Sequence, residues 1–267
     1  MSFQINTNVD ALNAYNALAK INAQATKASL RLATQKRINS VGDDTSGYRV
    51  GKELEAKVGI MKSAQGNVAS AKNMMATAES ALSNINDLLV QVQSKVADAN
   101  DPTKNLAAIA ADVAAIGNEI ASIFSGTKFN ETALLSGSSL PSGSNFAFQT
   151  GVGETTTVNF GTLNAIDLSS LTGATSSSVA SITVSTTVTA IQDALGKIGN
   201  FQQRLDVKDS YLTSAITNAT ASVSRLFDAD MAMEQLNATK AQIGGQVATA
   251  MLSQLNSAPQ QILSLFR

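Results

Sequence analysis

Apolar residues recur along most of this chain at alternating steps of three and four, the spacing of an amphipathic helix. The clearest run predicts a helix that ends at Asn100-Asp101-Pro102, with apolar positions at Met75, Ala78, Leu82, Ile85, Leu89, Val92, Val96 and Ala99. A second stripe over residues 106–123 ends before Ser125-Gly126. Because the connection between these two helices is short, we expect them to pack antiparallel.

A third periodic stretch extends from about residue 189 to Ala258, weakened only by Gly196, Gly199, Gly244 and Gly245. It predicts one continuous helix on the order of 100 Å long at 1.5 Å per residue. Gln202 and Asp209 interrupt its apolar stripe. A helix of that length cannot be buried within one small domain, so we expect it to run along a partner helix.

The two ends of the chain carry similar amphipathic stripes, which together predict a coiled coil. One helix pair has too little core to bury both stripes, so we expect identical copies to cover them. Contacts between different patches of identical copies build open helical assemblies. The predicted polymerisation contacts are Ile5, Val9, Leu12, Leu252, Leu255, Ile262 and Phe266.

The middle of the chain is rich in Gly, Ser and Thr and contains alternating sequences. Residues 145–150 and 155–160 flank a short Gly-containing segment and predict a β-hairpin. Residues 181–185 fit either a further strand or the lead into the next helix. The expected fold is mainly α: a long antiparallel helical bundle and a terminal coiled coil with a small β-hairpin insertion.

We expect the terminal coiled-coil domain to comprise residues 1–40 and 235–267. Residues 41–234 form the helical bundle domain, with the hairpin and a short variable loop at 136–188. The insertion is too short for a large outer domain.

Composition narrows the possible functions. The chain has neither His nor Cys, which removes the commonest general base, the thiolate nucleophile and the usual zinc ligands. We therefore predict no catalytic residue, no metal site, no cofactor and no enzymatic activity. A net charge of -1 with scattered cations argues against a nucleic-acid partner. Without a secretory signal or an apolar run of about 18 residues, we expect no membrane partner.

Three polar or glycine motifs have structural interpretations. In the connection after the first helix, Asp43, Asp44 and Ser46 form a linker and cap, with Asp44, Thr45 or Ser46 accepting hydrogen bonds from the next helix. Asp228 and Asp230 fit a solvated helix surface better than a metal site. The Gly244-Gly245 pair marks a close helix approach, a bend or a flexible joint, and the sequence does not separate these alternatives.

Taken together, these sequences resemble the bacterial flagellin family at both ends of the chain. Matching segments near the start are Ile5-Asn6-Thr7-Asn8-Val9, Ala11-Leu12-Asn13-Ala14, Arg37-Ile38-Asn39-Ser40, Gly42-Asp43-Asp44 and Ser46-Gly47. Further matches are Lys128-Phe129-Asn130, Leu134-Leu135-Ser136-Gly137, Asp228-Ala229-Asp230-Met231-Ala232 and Ala258-Pro259-Gln260-Gln261-Ile262-Leu263-Ser264-Leu265. Glu131 departs from the family, in which Gly usually follows the Phe-Asn pair.

The resemblance implies a structural subunit that self-assembles into the flagellar filament for swimming motility. The terminal coiled coil would form the inner core of the filament and the bundle its outer core. The subunit would be secreted through the flagellar export apparatus, without a cleaved signal peptide, into the extracellular filament. Expected partners are copies of the chain itself, an export chaperone bound within residues 224–267, and filament cap and hook-associated proteins. The alternative is a hook–filament junction protein.

The resemblance also implies positions for recognition by an animal innate immune receptor. In recognised members the first bundle helix carries an Arg and, one turn later, a Leu, and the next helix carries a Glu. Gln91, Lys95 and Asp112 occupy these receptor-recognition positions. We therefore expect weak or absent receptor activation.

Overall fold

The computed structural model describes residues 8–135, 145–159 and 168–265, without the side chains of residues 145, 159 and 258–265. The described residues form six α-helices: α1 (Val9–Thr34), α2 (Thr45–Asp98), α3 (Leu106–Gly126), α4 (Ser169–Thr172), α5 (Ser185–Phe227) and α6 (Met231–Leu265). They also form two antiparallel two-stranded sheets, β1 (Lys128–Phe129) with β2 (Thr132–Ala133) and β3 (Asn145–Gly151) with β4 (Glu154–Asn159). The predicted mainly α fold with a small β-hairpin is confirmed.

The chain divides into two compact units. The terminal unit comprises Met1–Ala56 and Asn218–Arg267, and the central unit comprises Lys57–Thr217. Helices α2 and α5 each contribute residues to both units. The predicted division into 1–40 with 235–267 and 41–234 concerns positions within a filament, and it stays a prediction.

The core of the central unit is built from the apolar stripes of its helices. The predicted stripe of α2 is buried from Met75 to Val92, and Ala99 beyond the helix end is buried as well. The stripe of α3 buries Ile109, Val113 and Ile120, and that of α5 buries Ile191, Ile198, Leu205 and Leu212. Residues 181–185 are not a strand: a single 3₁₀ turn at Val179–Ser181 leads into α5.

Both polar interruptions in the α5 stripe have partners on α2. Gln202 donates to Glu79 at 2.7 Å, and Asp209 accepts from Gln65 at 3.2 Å and from Lys72 at 3.0 Å. The Lys72 ammonium is the main reason that the pKa of the Asp209 carboxyl is below its usual value. Gln65 and Lys72 thus pair with the later of the two α5 residues, and Glu79 pairs with the earlier one. The two helices therefore run antiparallel within the unit.

The expected single helix from residue 189 to Ala258 is wrong, because the chain leaves the helix between Phe227 and Met231. Asp230 lies at the break, where its Oδ1 accepts from the amides of Ala232 at 3.0 Å and Met233 at 3.1 Å and thereby caps α6. The Asp228 side chain accepts from Ser224. Asp228 and Asp230 are therefore not a solvated helix surface but the residues that end one helix and begin the next.

The predicted β-hairpin is present as β3 and β4, with Val152 and Gly153 at the turn. Gly153 has φ of +73°, in the left-handed region that favours glycine. The β1–β2 hairpin was not predicted. Its two turn residues, Asn130 and Glu131, have φ of 48° and 63°, as a type I′ turn requires. Glu131 therefore adopts a strained conformation at the position where the family usually has Gly.

Helix α3 is long and apolar enough to cross a membrane by length and composition alone, although its longest unbroken apolar runs are far shorter than the roughly 18 residues of a membrane span. Its many alanines supply this apolar character. A core helix of a soluble protein passes the same test. Ile109, Val113 and Ile120 are buried in the central unit.

Segment α4 packs closely on α3 at Gly117. A Cβ added there would lie 2.9 Å from the carbonyl carbon of Leu171. That atom belongs to the backbone and cannot move aside as a flexible side chain does. Gly117 therefore holds open the space in which the buried Leu171 lies.

We expect Gly117→Ala to lower the free energy of unfolding by about 1–3 kcal/mol, because the added methyl overpacks the contact with Leu171. The matched control is Gly196→Ala, since Gly196 lies in α5 and a Cβ there meets nothing within 4 Å. That change should raise stability by about 1 kcal/mol. Urea unfolding followed by circular dichroism measures both, and a stabilised Gly117→Ala variant would contradict the proposed packing.

Candidate assembly site on the terminal helices

Helices α1 and α6 pack antiparallel along much of their length. Asn8 near the start of α1 donates to the Leu255 carbonyl at 3.1 Å. Near its end, Arg31 Nη1 lies 2.8 Å from Glu234 Oε1 at the beginning of α6. Since Glu234 is only 8% exposed, this ion pair lies inside the contact and helps to fix its register.

The contact between α1 and α6, here called the seam, is made mainly of small side chains. On α1 it comprises the buried or half-buried residues Ala11, Ala14, Leu18, Ile21, Ala25, Ala28 and Leu32. On α6 it comprises Glu234, Ala238, Ala241, Gly245, Ala248, Leu252 and Leu255. Both sets follow the three-four spacing of a coiled coil. The terminal coiled coil is therefore present within one chain.

Gly244 and Gly245 lie inside the continuous helix α6 and face α1. A Cβ on Gly244 would lie 3.6 Å from Ile21, and one on Gly245 would lie 3.7 Å from Asn22. These are ordinary van der Waals distances. The pair marks a close approach of the two helices, and a hinge there remains a hypothesis.

Each helix of the pair also carries a second apolar stripe that is at least half exposed. The α1 outer stripe consists of Val9, Leu12, Tyr15 and Leu30. The α6 outer stripe consists of Met233, Leu236, Ile243, Val247 and Met251. Val9 is two residues from Ala11, and Leu236 is two from Ala238, which places each about 200° around its helix from the seam. The two stripes therefore face away from each other.

The predicted polymerisation contacts fall on two different faces. Val9 and Leu12 are 56% and 61% exposed on the α1 outer stripe, whereas Leu252 and Leu255 are half-buried in the seam. Ile5, Phe266 and the Ile262 side chain lie outside the described residues. The α1 stripe identified in the sequence is thus the outer one, and the stripe identified on α6 is the inner one.

Between the helices, the two connecting segments pair with each other. Lys36 and Asp228 form an antiparallel β-bridge. The Arg37 amide donates to the Phe227 carbonyl at 2.6 Å, and the Ala229 amide donates to the Gln35 carbonyl at 3.0 Å. These bonds satisfy backbone groups that the interrupted helices leave free.

The Phe227 side chain anchors this pairing. Its ring is buried against the Cα of Gly51, where any Cβ would overlap it. Tyr48 meets the ring edge-on with centroids 6.2 Å apart, and the Lys36 ammonium lies 5.5 Å from its centroid. Gly51 in α2 is therefore required for the end of α5 to pack there.

The linker residues Asp43, Asp44 and Ser46 lie at the start of α2. Asp44 Oδ1 accepts from the Gly47 amide at 2.8 Å, and Ser46 lies in the first turn of the helix. Asp43 Oδ2 accepts from the amides of Asn39 and Ser40, each at 3.1 Å. Its other oxygen lies 2.8 Å from the ammonium of Lys27 in α1.

Asp43 therefore connects the linker to helix α1. The Lys27 ammonium, followed by the Asn39 amide, holds the pKa of the Asp43 carboxyl well below its usual range. Both interactions favour the charged form of the carboxylate.

The receptor-recognition positions lie in the central unit. Gln91 is exposed on α2. One turn later, Lys95 Nζ lies 2.6 Å from Asp112 Oδ2 of α3. Asp112 is the main cause of the raised pKa of Lys95. Lys95 and Asp112 thus form an ion pair at this surface.

Nothing in the described ranges resembles a metal centre: no group of three or more Asp or Glu side chains there is placed to hold an ion. The site is thus a set of helix faces suited to packing against other helices.

Comparison with known proteins decides the family. The sequence profile of the bacterial flagellin N-terminal helical region matches residues 5–139. That of the bacterial flagellin C-terminal helical region matches residues 182–266. The chain belongs to the bacterial flagellin family.

Individual relatives cover nearly the whole chain. A flagellar filament core protein of Brachyspira hyodysenteriae is 30% identical, over 98% of this chain and 99% of its own. The flagellin of Bacillus subtilis is 27% identical, over 99% of this chain and 100% of its own. A solved structure described as a "putative flagellar hook-associated protein" from Vibrio parahaemolyticus covers 70% of this chain with a TM-score of 0.56 at 15% identity, which supports the fold alone.

These relatives identify this member of the flagellin family as a structural subunit of the flagellar filament. They do not favour the hook–filament junction alternative. The family is structural and non-enzymatic.

Sequence reasoning missed the α6 outer stripe and the true α1 seam. The α1 seam was readable as an unbroken three-four run of Ala, Leu and Ile from Ala11 to Leu32, whereas the outer face, which carries the predicted contacts Val9 and Leu12, is interrupted by Asn16 and Thr26. The larger side chains of the outer face obscured the smaller ones that contact α6. Closely packed helices place small residues at their contact, and large residues remain outside.

We expect Asp43→Asn to destabilise the protein at pH 7. The folded-state pKa of Asp43 is depressed, so its stabilisation is complete above the unfolded value of about 3.9 and disappears as pH falls through the folded value. The difference in melting temperature from wild type should therefore narrow below about pH 4.

Melts followed by circular dichroism between pH 7 and pH 3 measure this difference. Lys27→Met should reproduce part of the effect, because the Asn39 and Ser40 amides still favour the carboxylate. A difference that stays constant over the whole range would show that Asp43 makes no such contribution.

Proposed function

We propose that this chain polymerises into the flagellar filament through the two outer stripes of its terminal helices. The observation that carries the proposal is the exposure of large apolar side chains on both α1 and α6. Large exposed apolar side chains that cluster on one face of a helix mark interaction sites. Filament core proteins among the relatives imply a self-assembling polymer, so the occupant of each stripe is another copy of the chain.

The arrangement of the stripes favours an open assembly. The α1 outer stripe and the α6 outer stripe differ in sequence and face away from each other. One copy can therefore contact one neighbour through α1 and a different neighbour through α6. Such heterologous contacts repeat without closing and generate helical filaments.

We propose the export route and the remaining partners on the basis of the resemblance to flagellins. The subunit reaches the filament through the flagellar export apparatus, with a chaperone bound within residues 224–267. Cap and hook-associated proteins contact the ends of the filament. The exposed apolar residues of α6 give such a chaperone a surface that must be covered before assembly. The chain itself carries out no catalysis.

A paired substitution tests the assembly surface. Leu236→Gln with Ile243→Gln should raise the critical concentration for filament growth by about a hundredfold, because two amide side chains would be buried in place of apolar ones. Both positions are exposed in the subunit, so its helical circular dichroism should be unchanged. Sedimentation after addition of filament seeds measures growth.

The matched control is Val90→Gln, which makes the same kind of change at a position of α2 that is 53% exposed. It lies outside both outer stripes and should leave assembly close to that of wild type. Normal filament growth by the double variant would refute the proposed surface.

The central unit supports a separate proposal of weak recognition by the animal receptor. Gln91 lacks the planar charge with which Arg binds a carboxylate. Lys95 places a hydrated charge, already paired with Asp112, where an apolar contact would be buried. Recognition therefore has to break an ion pair and desolvate both partners.

We expect purified subunits to give at least about tenfold weaker reporter-cell activation than a recognised flagellin. Gln91→Arg combined with Lys95→Leu should raise the response. Val90→Ala, a neighbouring change that leaves both positions intact, is the control. Activation by the wild-type subunit at the concentrations that suffice for a recognised flagellin would contradict the proposal.

A further inference from the structure

The described methionines fall into two groups that differ sharply in exposure. Met61, Met74 and Met75 belong to α2 and lie in the core of the central unit, with exposed fractions of 9%, 2% and 0%. The methionines of α6 are exposed, with Met231 at 41%, Met233 at 56% and Met251 at 59%. Met233 and Met251 are members of the α6 outer stripe.

The chemistry of the thioether makes this difference important. A hydroperoxide transfers one oxygen atom to the methionine sulfur, forming a sulfoxide; with hydrogen peroxide the other product is water. The sulfur is oxidised by two electrons and the peroxide is reduced by two. The sulfoxide is polar, and methionine sulfoxide reductases restore the thioether.

We propose that Met233 and Met251 make the α6 outer stripe an oxidation-sensitive assembly surface. Peroxide oxidises both residues in the free subunit and thereby prevents its addition to a filament, and assembly protects them. The inference rests on the proposed function, because it assumes that neighbouring copies cover this stripe.

Because of where the two residues lie, their oxidation impairs assembly without unfolding the subunit. Met233 lies three residues from Leu236, and Met251 follows Ile243 and Val247 at steps of four, so the two sulfoxides would place a polar group at each end of the α6 outer stripe. In the free subunit both side chains already face solvent. A sulfoxide at these exposed positions therefore changes the folding free energy of the subunit little. Burying the sulfoxide against a neighbour that offers no hydrogen-bond donor is unfavourable.

The first experiment measures the rate of oxidation residue by residue. Subunits and filaments are treated with hydrogen peroxide, and sulfoxide is quantified by peptide mass spectrometry. In the subunit, Met233 and Met251 should react about tenfold faster than Met61, Met74 and Met75, which serve as internal controls. In the filament, the α6 residues should slow by about tenfold. Equal rates for Met233 and Met251 in subunit and filament would overturn the proposal.

The second experiment connects oxidation to assembly. Oxidised wild type should need an about tenfold higher concentration than untreated wild type to extend filament seeds, and treatment with methionine sulfoxide reductases should restore growth. Met233→Leu combined with Met251→Leu conserves volume and apolar character. After the same peroxide treatment, this variant should assemble as untreated protein does.

Two outcomes count against the proposal. Normal growth of oxidised wild type would overturn it, and so would a loss of growth in the oxidised leucine variant, since the lesion would then lie elsewhere. A failure of the proposed function has a different signature. In that case Leu236→Gln with Ile243→Gln would assemble normally without any oxidant.

Discussion

The closeness of α1 and α6 is the constraint on which the terminal unit depends. Eight of the fourteen seam residues are alanine or glycine, so much of the contact between the two helices is made by small side chains. Other large apolar side chains of both helices lie on the outer stripes. The seam thus holds the terminal unit of one chain together and leaves two apolar faces exposed, which are the faces that we propose other copies cover.

The pairing of the two connecting segments gives the seam its starting register. Residues 35–37 and 227–229 exchange backbone hydrogen bonds immediately before the helices begin to pack. Phe227 and Gly51 then fix the end of α5 against the start of α2. Since the Arg31–Glu234 ion pair lies about one turn beyond this bridge, a shift of the helices by one position would break both interactions.

Much of this architecture could be read from the sequence, because most of it follows from periodicity. The core stripes of α2 and α3, the end of α2 at Asn100-Asp101-Pro102 and the β3–β4 hairpin were all predicted from spacing and turn residues. The break between α5 and α6 was not predicted, because neither Pro nor Gly lies in the segment between the two helices. It is held by two backbone hydrogen bonds to residues almost two hundred positions away in the sequence: the Arg37 amide donates to the Phe227 carbonyl, and the Gln35 carbonyl accepts from the Ala229 amide. Only Asp230 gives a local capping signal.

The sequence alone also could not predict which face of each terminal helix is buried. Helical spacing identifies apolar stripes, but on α1 it offers two of them, and only the position of α6 decides which one is buried. Side-chain size was a misleading guide, since Leu12 and Val9 are larger than Ala11 and Ala14 and yet lie outside. The polar positions Gln202 and Asp209 were noticed as interruptions, and their partners on α2 appeared only when the helices were placed together.

The hydrogen bond from Asn8 to Leu255 joins residues 247 positions apart, and this separation determines when the terminal unit can form. The N-terminal part of a chain is synthesised first, so α1 emerges long before its partner helix exists. Most of the stability of a helix in a protein comes from the packing of its amphipathic face, and α1 has no such packing before α6 exists. Contacts between distant parts of a sequence also form slowly. The seam therefore cannot form until α6 has been synthesised, and until then α1 lacks the helix that covers its seam residues.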